Sequence, residues 1–118
     1  MAGRVIAVVG ASSDRSKFGN RAVRAFLRQG YDVRPVNPNE DTIEGLPVYR
    51  TVADIPGPVD IVSLYVPAAI GIGLLDAIAA KQPGEVWINP GAESAALEAR
   101  ARALGLSPIY ACSIVALG

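Results

Sequence analysis

The sequence predicts an α/β fold, a three-layer arrangement of a parallel sheet with helices on both faces, from three observations. Apolar runs of strand length alternate with helical patterns, the connections between them are short, and most runs end in glycine or proline. Short βαβ connections force parallel strands with right-handed crossovers. No internal repeat, low-complexity tract or linker interrupts the 118 residues, which read as one domain.

The elements follow in order. Val5–Val9 is unbroken apolar, the mark of a strand buried on both faces. It empties into Gly10-Ala11-Ser12-Ser13, and a helix over Asn20–Gln29 follows, closed by Gly30. Val23, Phe26 and Leu27 form the core-facing stripe of that helix, which assigns Arg24 and Arg28 to its wet face. Tyr31–Val36 is the second strand, ended by Asn37-Pro38-Asn39, and Glu40–Gly45 is a polar loop. Leu46–Arg50 reads as a short third strand, followed by a helical turn over Thr51–Ile55 capped by Thr51. Val59–Val66 is a buried strand stopped by Pro67, and Ile70–Lys81 a helix. Glu85–Ile88 is a strand, Ser94–Leu104 a helix closed by Gly105, and Ser107–Ala111 the last strand. The expected strand order is 3-2-1-4-5-6, Rossmann-like, with the short third strand at the edge.

Composition removes several kinds of chemistry. The chain has no histidine, which excludes histidine triads, phosphohistidine intermediates and histidine metal sites. One cysteine, Cys112, can build neither an internal disulfide nor a zinc or iron–sulfur site, and it fits a reducing cytoplasm. No apolar stretch reaches the ~20 residues of a membrane helix, and no secretory h-region is visible. Net charge is zero, and neither nucleic acid nor membrane is an expected partner. The charge is unevenly spread: residues 1–36 hold seven cations against two carboxylates, and the remainder four against nine.

In an open parallel sheet, ligands bind beyond the carboxyl ends of the strands, where the strand order reverses. Here that rim gathers Gly10-Ala11-Ser12-Ser13, Asn37-Pro38, Tyr65-Val66-Pro67 and Asn89-Pro90-Gly91. Glycine lets a backbone approach a ligand closely, and the following helix offers unpaired N–H groups and a positive dipole end to an anion. Arg15 and Lys17 lie within the loop between the first strand and the first helix, so they are the cationic candidates. The ligand class is therefore nucleotide-like.

The dinucleotide fingerprint does not fit well. After Gly10 the next glycine is Gly19, and the second strand ends on Asn37, not on an acid; Glu40 lies a few residues too far along unless the loop bends back. No tyrosine stands four residues before a lysine, and no Gly-Lys-Ser/Thr phosphate loop is present. NAD(P) stays as the alternative cofactor.

Val8-Val9-Gly10-Ala11-Ser12 with Phe18-Gly19, then Gly30-Tyr31-Asp32-Val33 and Pro35-Val36-Asn37-Pro38, resemble the small stand-alone CoA-binding proteins. Ile43-Glu44-Gly45, Asp54-Ile55-Pro56, Asp60-Ile61-Val62 and Val86-Trp87 continue the likeness. The segment 46–54 and Tyr65-Val66-Pro67 are similar to the N-terminal domain of the succinyl-CoA synthetase α subunit and of ADP-forming acyl-CoA synthetases. The resemblance runs from Val5 to Cys112. It implies that Gly10, Ala11, Ser12 and Ser13, with Lys17, Phe18 and Gly19, cradle the pyrophosphate of coenzyme A. It sets Val36, Asn37 and Pro38 along the adenosine, Tyr65, Val66 and Pro67 along the adenine or pantetheine arm, and Asn89, Pro90 and Gly91 at the pantetheine exit. Two departures fall near the thiol end: Asn89-Pro90 where relatives carry Gln, and Tyr110-Ala111 where they carry Asp-Arg.

A ligand rich in phosphate needs amide donors and cations more than it needs an acid at Asn37. The expected function is non-catalytic binding of CoA or a short acyl-CoA. The synthetases depend on a phosphohistidine supplied by another domain, so acyl-CoA synthesis by this segment alone is excluded. The alternatives are an NAD(P)-binding oxidoreductase-like protein and a subunit acting in trans with a synthetase partner; a homo-oligomer is also open. Cys112 reads as a small packed residue, with a mixed disulfide to CoA as the competing reading.

Overall fold

The computed structural model describes residues 3–117. Five parallel strands form the sheet: β1 (Val5–Val9), β2 (Asp32–Val36), β5 (Ile61–Leu64), β6 (Glu85–Ile88) and β7 (Pro108–Tyr110), in spatial order β2-β1-β5-β6-β7. β1 lies inside the sheet, second from the β2 edge, in register with both neighbours, Val9 lying beside Val36 on one side and Leu64 on the other. Three helices make the crossovers: α1 (Phe18–Arg28), α2 (Ala68–Ala80) and α3 (Ala95–Ala103). A short α4 (Ser113–Leu117), which the sequence did not announce, follows β7.

The two-residue period of β1 divides its side chains between two cores. Ala7 and Val9 join Val62, Leu64, Leu75, Ile78 and Leu97 under α2 and α3. Ile6 and Val8 join Ala22, Val23, Phe26, Val33 and Trp87 under α1, with Ile114 and Leu117 of α4 at the margin. The expectation of a strand covered on both faces is met, and this puts β1 at the centre of three layers.

The third strand needs correcting. Leu46–Arg50 contributes no strand to the main sheet. A small antiparallel hairpin instead joins β3 (Thr42–Ile43) to β4 (Leu46–Pro47), with Glu44 and Gly45 at φ 50° and 78° forming the turn. Two successive left-handed residues make a tight hairpin, so the segment pairs with itself before it reaches β2. Pro47 also lacks the N–H a ladder requires. Only Tyr49 meets the sheet, in a single parallel bridge to Val36, with its N–H on the Pro35 carbonyl at 2.9 Å and its carbonyl accepting from Asn37 N at 3.0 Å. The stated order 3-2-1-4-5-6 thus loses its first member as a strand.

Helix starts are earlier than the sequence suggested. α2 begins directly behind Pro67, whose φ of −56° suits a helix entry, and α1 begins at Phe18, not Asn20. Thr51 precedes a short 3-10 turn (Val52–Asp54) but makes no side-chain cap, whereas the Ser94 hydroxyl does cap α3, accepting from Leu97 N at 3.1 Å.

Candidate functional site

Gly10 sits at φ +92°, in the left-handed region that favours glycine. A Cβ there would come within 2.9 Å of Val66 Cγ1 and 3.1 Å of the Tyr65 carbonyl carbon. Gly19 is tighter still: a Cβ on it would lie 2.1 Å from the Gly10 carbonyl oxygen. The first turn of α1 therefore rests directly on the strand-ending turn. The long spacing from Gly10 to Gly19 is reconciled by a loop that leaves the turn and returns to it. The expectation for Gly19 was a place in the cradle; the structure gives it this packing contact, buried beneath the loop.

The loop between them is internally braced. The Asp14 carboxylate accepts from Ser16 N at 3.0 Å and Ser16 Oγ at 2.7 Å, which holds its pKa below the usual carboxylate value. Ser12 Oγ accepts from Asp14 N at 3.0 Å. Arg24, assigned to the wet face of α1, instead donates to Asn20 Oδ1 at 2.7 Å and to the Arg15 carbonyl at 3.0 Å, tying helix to loop. The missed signal was its spacing from Asn20, one helical turn earlier.

Asn37 has a use that an acid could not serve. Its amide donates to the Ala11 carbonyl at 2.8 Å, and its oxygen accepts from Asn39 N at 2.7 Å. A carboxylate has no N–H to give, so the amide at this strand end is a requirement of the turn. The acid is close by all the same. The segment after Pro38 bends back, and Glu40 Oε2 accepts from Ser13 N at 3.0 Å and lies 3.5 Å from Asn37 Nδ2. Glu44 reaches the same loop from the β3–β4 turn, accepting from Asn20 Nδ2 at 3.0 Å and pairing with Arg15 at 3.4 Å. The Asn20 hydrogen bond, with the charges of Arg15 and Arg24, lowers its pKa. Neither acid was among the expected site residues, because each is brought in by loop geometry that no local pattern encodes.

Beside the turn, on the α2 side of the sheet, lies a groove of about 320 Å³. Its lining is mostly apolar, with Val36, Val52, Val66, Ile70 and Leu74, and includes Gly10. Pro38, Asn39 and Arg50 form the lip; Arg50 donates to the Pro38 carbonyl and lies 3.3 Å from Asp41. Gly10, Val36, Asn37, Pro38 and Val66 are thus brought to one cavity, with Ala11, Ser12 and Ser13 running on from it in the chain. Arg15 and Lys17 are exposed on the adjoining loop, and Pro67 is exposed at the start of α2.

The side chains of the remaining candidates point to other surroundings. Phe18, 61% exposed, carries the Arg21 guanidinium over its ring at 5.2 Å and lines a separate shallow groove with Arg21, Arg24, Arg28 and half-buried Cys112. Tyr65 and Asn89 belong to a closed polar knot. Asn89 Nδ2 donates to Ser63 Oγ at 2.9 Å and to the Leu64 carbonyl at 2.9 Å; Asn89 Oδ1 accepts from Ser113 N at 2.8 Å and Ser113 Oγ at 2.9 Å. Ser63 and Tyr65 hydroxyls both lie against Ser113 Oγ, at 2.7 and 2.9 Å. Burial raises the Tyr65 pKa, and its hydrogen bond to Ser113 partly opposes that. Asn89 is 1% exposed with all four hydrogen-bonding positions used, so its side chain braces α4 against the sheet. Pro90 and Gly91 are exposed at that rim, where the Gly91 amide donates to the Glu93 carboxylate at 3.1 Å. Among the described residues no group of three His, Cys, Asp or Glu comes together as a metal site, and no helix is long and apolar enough to cross a membrane.

Comparison with known proteins gives the family and the fold. The α subunit of the ADP-forming acetate–CoA ligase II of Pyrococcus furiosus is 42% identical over 65 residues, 54% of this chain and 14% of the ligase subunit. The chain thus spans only a small part of that curated relative. A conserved hypothetical protein from Pyrococcus furiosus superposes with TM-score 0.88 at 36% identity, covering 96% of this chain and 98% of its own. The dinucleotide-forming acetyl-coenzyme A synthetase 1 of Ca. Korarchaeum cryptofilum superposes with TM-score 0.78 at 30% identity, covering 92% of this chain and 26% of its own. The sequence profile of the CoA binding domain matches residues 4–118, nearly the whole chain, which therefore belongs to the CoA-binding domain family.

Proposed function

We propose that this protein binds coenzyme A or a short acyl-CoA without transforming it. The observation that carries the reading is that an apolar groove of about 320 Å³ is lined by Gly10 of the strand-ending turn. An adenine ring suits apolar walls, and a diphosphate suits a turn whose glycine leaves the backbone bare beside a loop carrying Arg15 and Lys17. The residues present fit the ligand: a Cβ at Gly10 would crowd the place where strand end and groove meet. Arg50 at the lip adds a third cation within reach of a phosphate. In this reading Val36 and Pro38 flank the adenosine, Asn37 holds the turn in shape, and the pantetheine leaves past Tyr65, Pro67, Pro90 and Gly91. Coenzyme A would supply a thiol or thioester to be held, while the protein supplies binding and orientation.

Calorimetric titration with CoA, dephospho-CoA and NADH tests it. CoA is expected to bind; micromolar NADH binding without CoA binding would establish the NAD(P) alternative instead. Ile70, 56% exposed on the groove wall, gives a site-directed check. Ile70→Glu places a carboxylate beside the adenosine and is expected to weaken CoA about tenfold with the melting temperature nearly unchanged. Loss of affinity no greater than twofold would move the adenosine out of this groove.

A second reading rests on two of the named relatives, a ligase subunit and a synthetase, both much longer than this chain. In that reading the protein presents its CoA to a synthetase-like partner in trans. Co-purification of the tagged protein with such a partner, dependent on CoA, is the measurement that supports it.

A further inference from the structure

A backbone amide on the loop that follows the glycine turn already holds a carboxylate. Ser13 N donates to a carboxylate 27 residues away in sequence, Glu40 Oε2, at 3.0 Å. Exposed carboxylates are normally hydrated, and a surface glutamate gives up side-chain freedom to hold one geometry. Here the geometry is supported from behind. Asn37 fixes both the turn, through the Ala11 carbonyl, and the start of the returning segment, through Asn39 N. Arg50 holds that segment again at the Pro38 carbonyl and at Asp41. The backbone from 37 to 41 is therefore pinned, and only the Glu40 side chain needs to rotate for the amide to be freed.

We propose that Glu40 is a built-in stand-in for the ligand's phosphate, displaced on binding, so that it sets how much negative charge a ligand must carry to occupy the site. The inference rests on the CoA reading above. A ligand phosphate competing for the Ser13 amide has to expel a carboxylate and then tolerate its charge nearby. A diphosphate, with several charged oxygens and cations at Arg15 and Lys17 to meet it, succeeds where a neutral nucleoside gains nothing from the exchange. Glu40 thereby acts on anionic ligands and leaves adenosine binding alone. Glu44 does a different job on the same loop, since it holds side chains (Asn20 and Arg15) and no loop amide.

The test compares wild type with Glu40→Gln and Glu40→Ala by titration with inorganic pyrophosphate, CoA and adenosine. Gln keeps an acceptor for Ser13 N and removes the charge, so the fold is expected to persist. Both variants are expected to tighten pyrophosphate and CoA about threefold to tenfold and to leave adenosine within about twofold. Equal CoA affinity in wild type and variants overturns the role of Glu40 while the CoA reading stands. Tighter pyrophosphate in the variants, with CoA bound by none of the proteins, keeps Glu40 in its role and overturns the CoA reading. Weakening of CoA and adenosine together overturns the proposal in favour of Glu40 as a ribose-hydroxyl acceptor. No binding of pyrophosphate or CoA by any protein overturns both. A variant-independent readout is the Ser13 amide resonance of the wild type, which must shift when pyrophosphate is added; an unmoved resonance at saturation also overturns the proposal.

Discussion

The C-terminal edge of the sheet carries two polar regions only a few residues from each other along the strands. At the ends of β1 and β2 the turn at Gly10, the loop to Lys17 and the segment after Pro38 stand beside an open apolar groove. At the ends of β5 and β6, Ser63, Tyr65, Asn89 and Ser113 close on one another. Both regions obey the rule that ligand sites lie beyond the carboxyl ends of parallel strands. They differ in where their hydrogen-bonding capacity goes. In the knot a single donor order satisfies every group: Asn89 gives to Ser63, Ser63 and Tyr65 give to Ser113, and Ser113 gives back to Asn89. In the groove region the amide at Ser13 is held by a single exposed carboxylate from a distant loop, the partner proposed to be exchanged for a ligand anion. Position at the edge makes a region eligible; exchangeable partners make it a site.

The largest expected effect comes from forcing the two halves of the open region apart. Gly19→Ala drives a Cβ into the Gly10 carbonyl, a backbone atom that cannot swing away. It is expected to destabilise the protein by about 3 kcal/mol, the upper part of the usual range for overpacking, and to abolish CoA binding. Urea denaturation and titration on the same preparation measure both. A variant as stable as wild type would mean α1 can slide along the turn.

Breaking the closed region separates the two more sharply. Asn89→Ala leaves Ser113 N and the Leu64 carbonyl without their side-chain partner in a buried setting. A loss of about 2 kcal/mol is expected, with CoA affinity changed less than threefold. A large fall in affinity at unchanged stability would reverse the comparison and make the knot part of the site.

The smallest effect concerns the ties of the open loop. Glu44 has its pKa lowered by Asn20 first, then by the charges of Arg15 and Arg24. A carboxyl with a depressed folded-state pKa stabilises fully above its unfolded value near 4.5 and loses that contribution as pH falls through the folded one. Stability should therefore decline in acid below about pH 4.5, and Glu44→Gln should flatten that limb of the pH profile. An identical acid limb in the variant would show that the β3–β4 turn does not hold the loop.

The layers and most of the sheet were legible in the order of residues alone. The strands read at Val5–Val9, an unbroken apolar run, and at Glu85–Ile88 match the observed ones to the residue. Periodicity sufficed there because burial on one face or both is a local property of side-chain order. The resemblance carried by its motifs in order and spacing also pointed to the CoA-binding family, whose profile matches residues 4–118. The tertiary structure alone decided the rest. It reduced the third strand to one bridge at Tyr49, because a two-residue turn at Glu44-Gly45 let the chain pair locally first. It moved Asn89 from the rim into a buried brace, and it moved Arg24 from the wet face to the loop. Above all it brought Glu40 and Glu44 back onto the glycine turn. Those contacts join residues 24 to 29 positions apart, and a pairing at that distance depends on where the backbone closes. No window of sequence carries that information, because the closure is set by the packing of the strands between which the loops run.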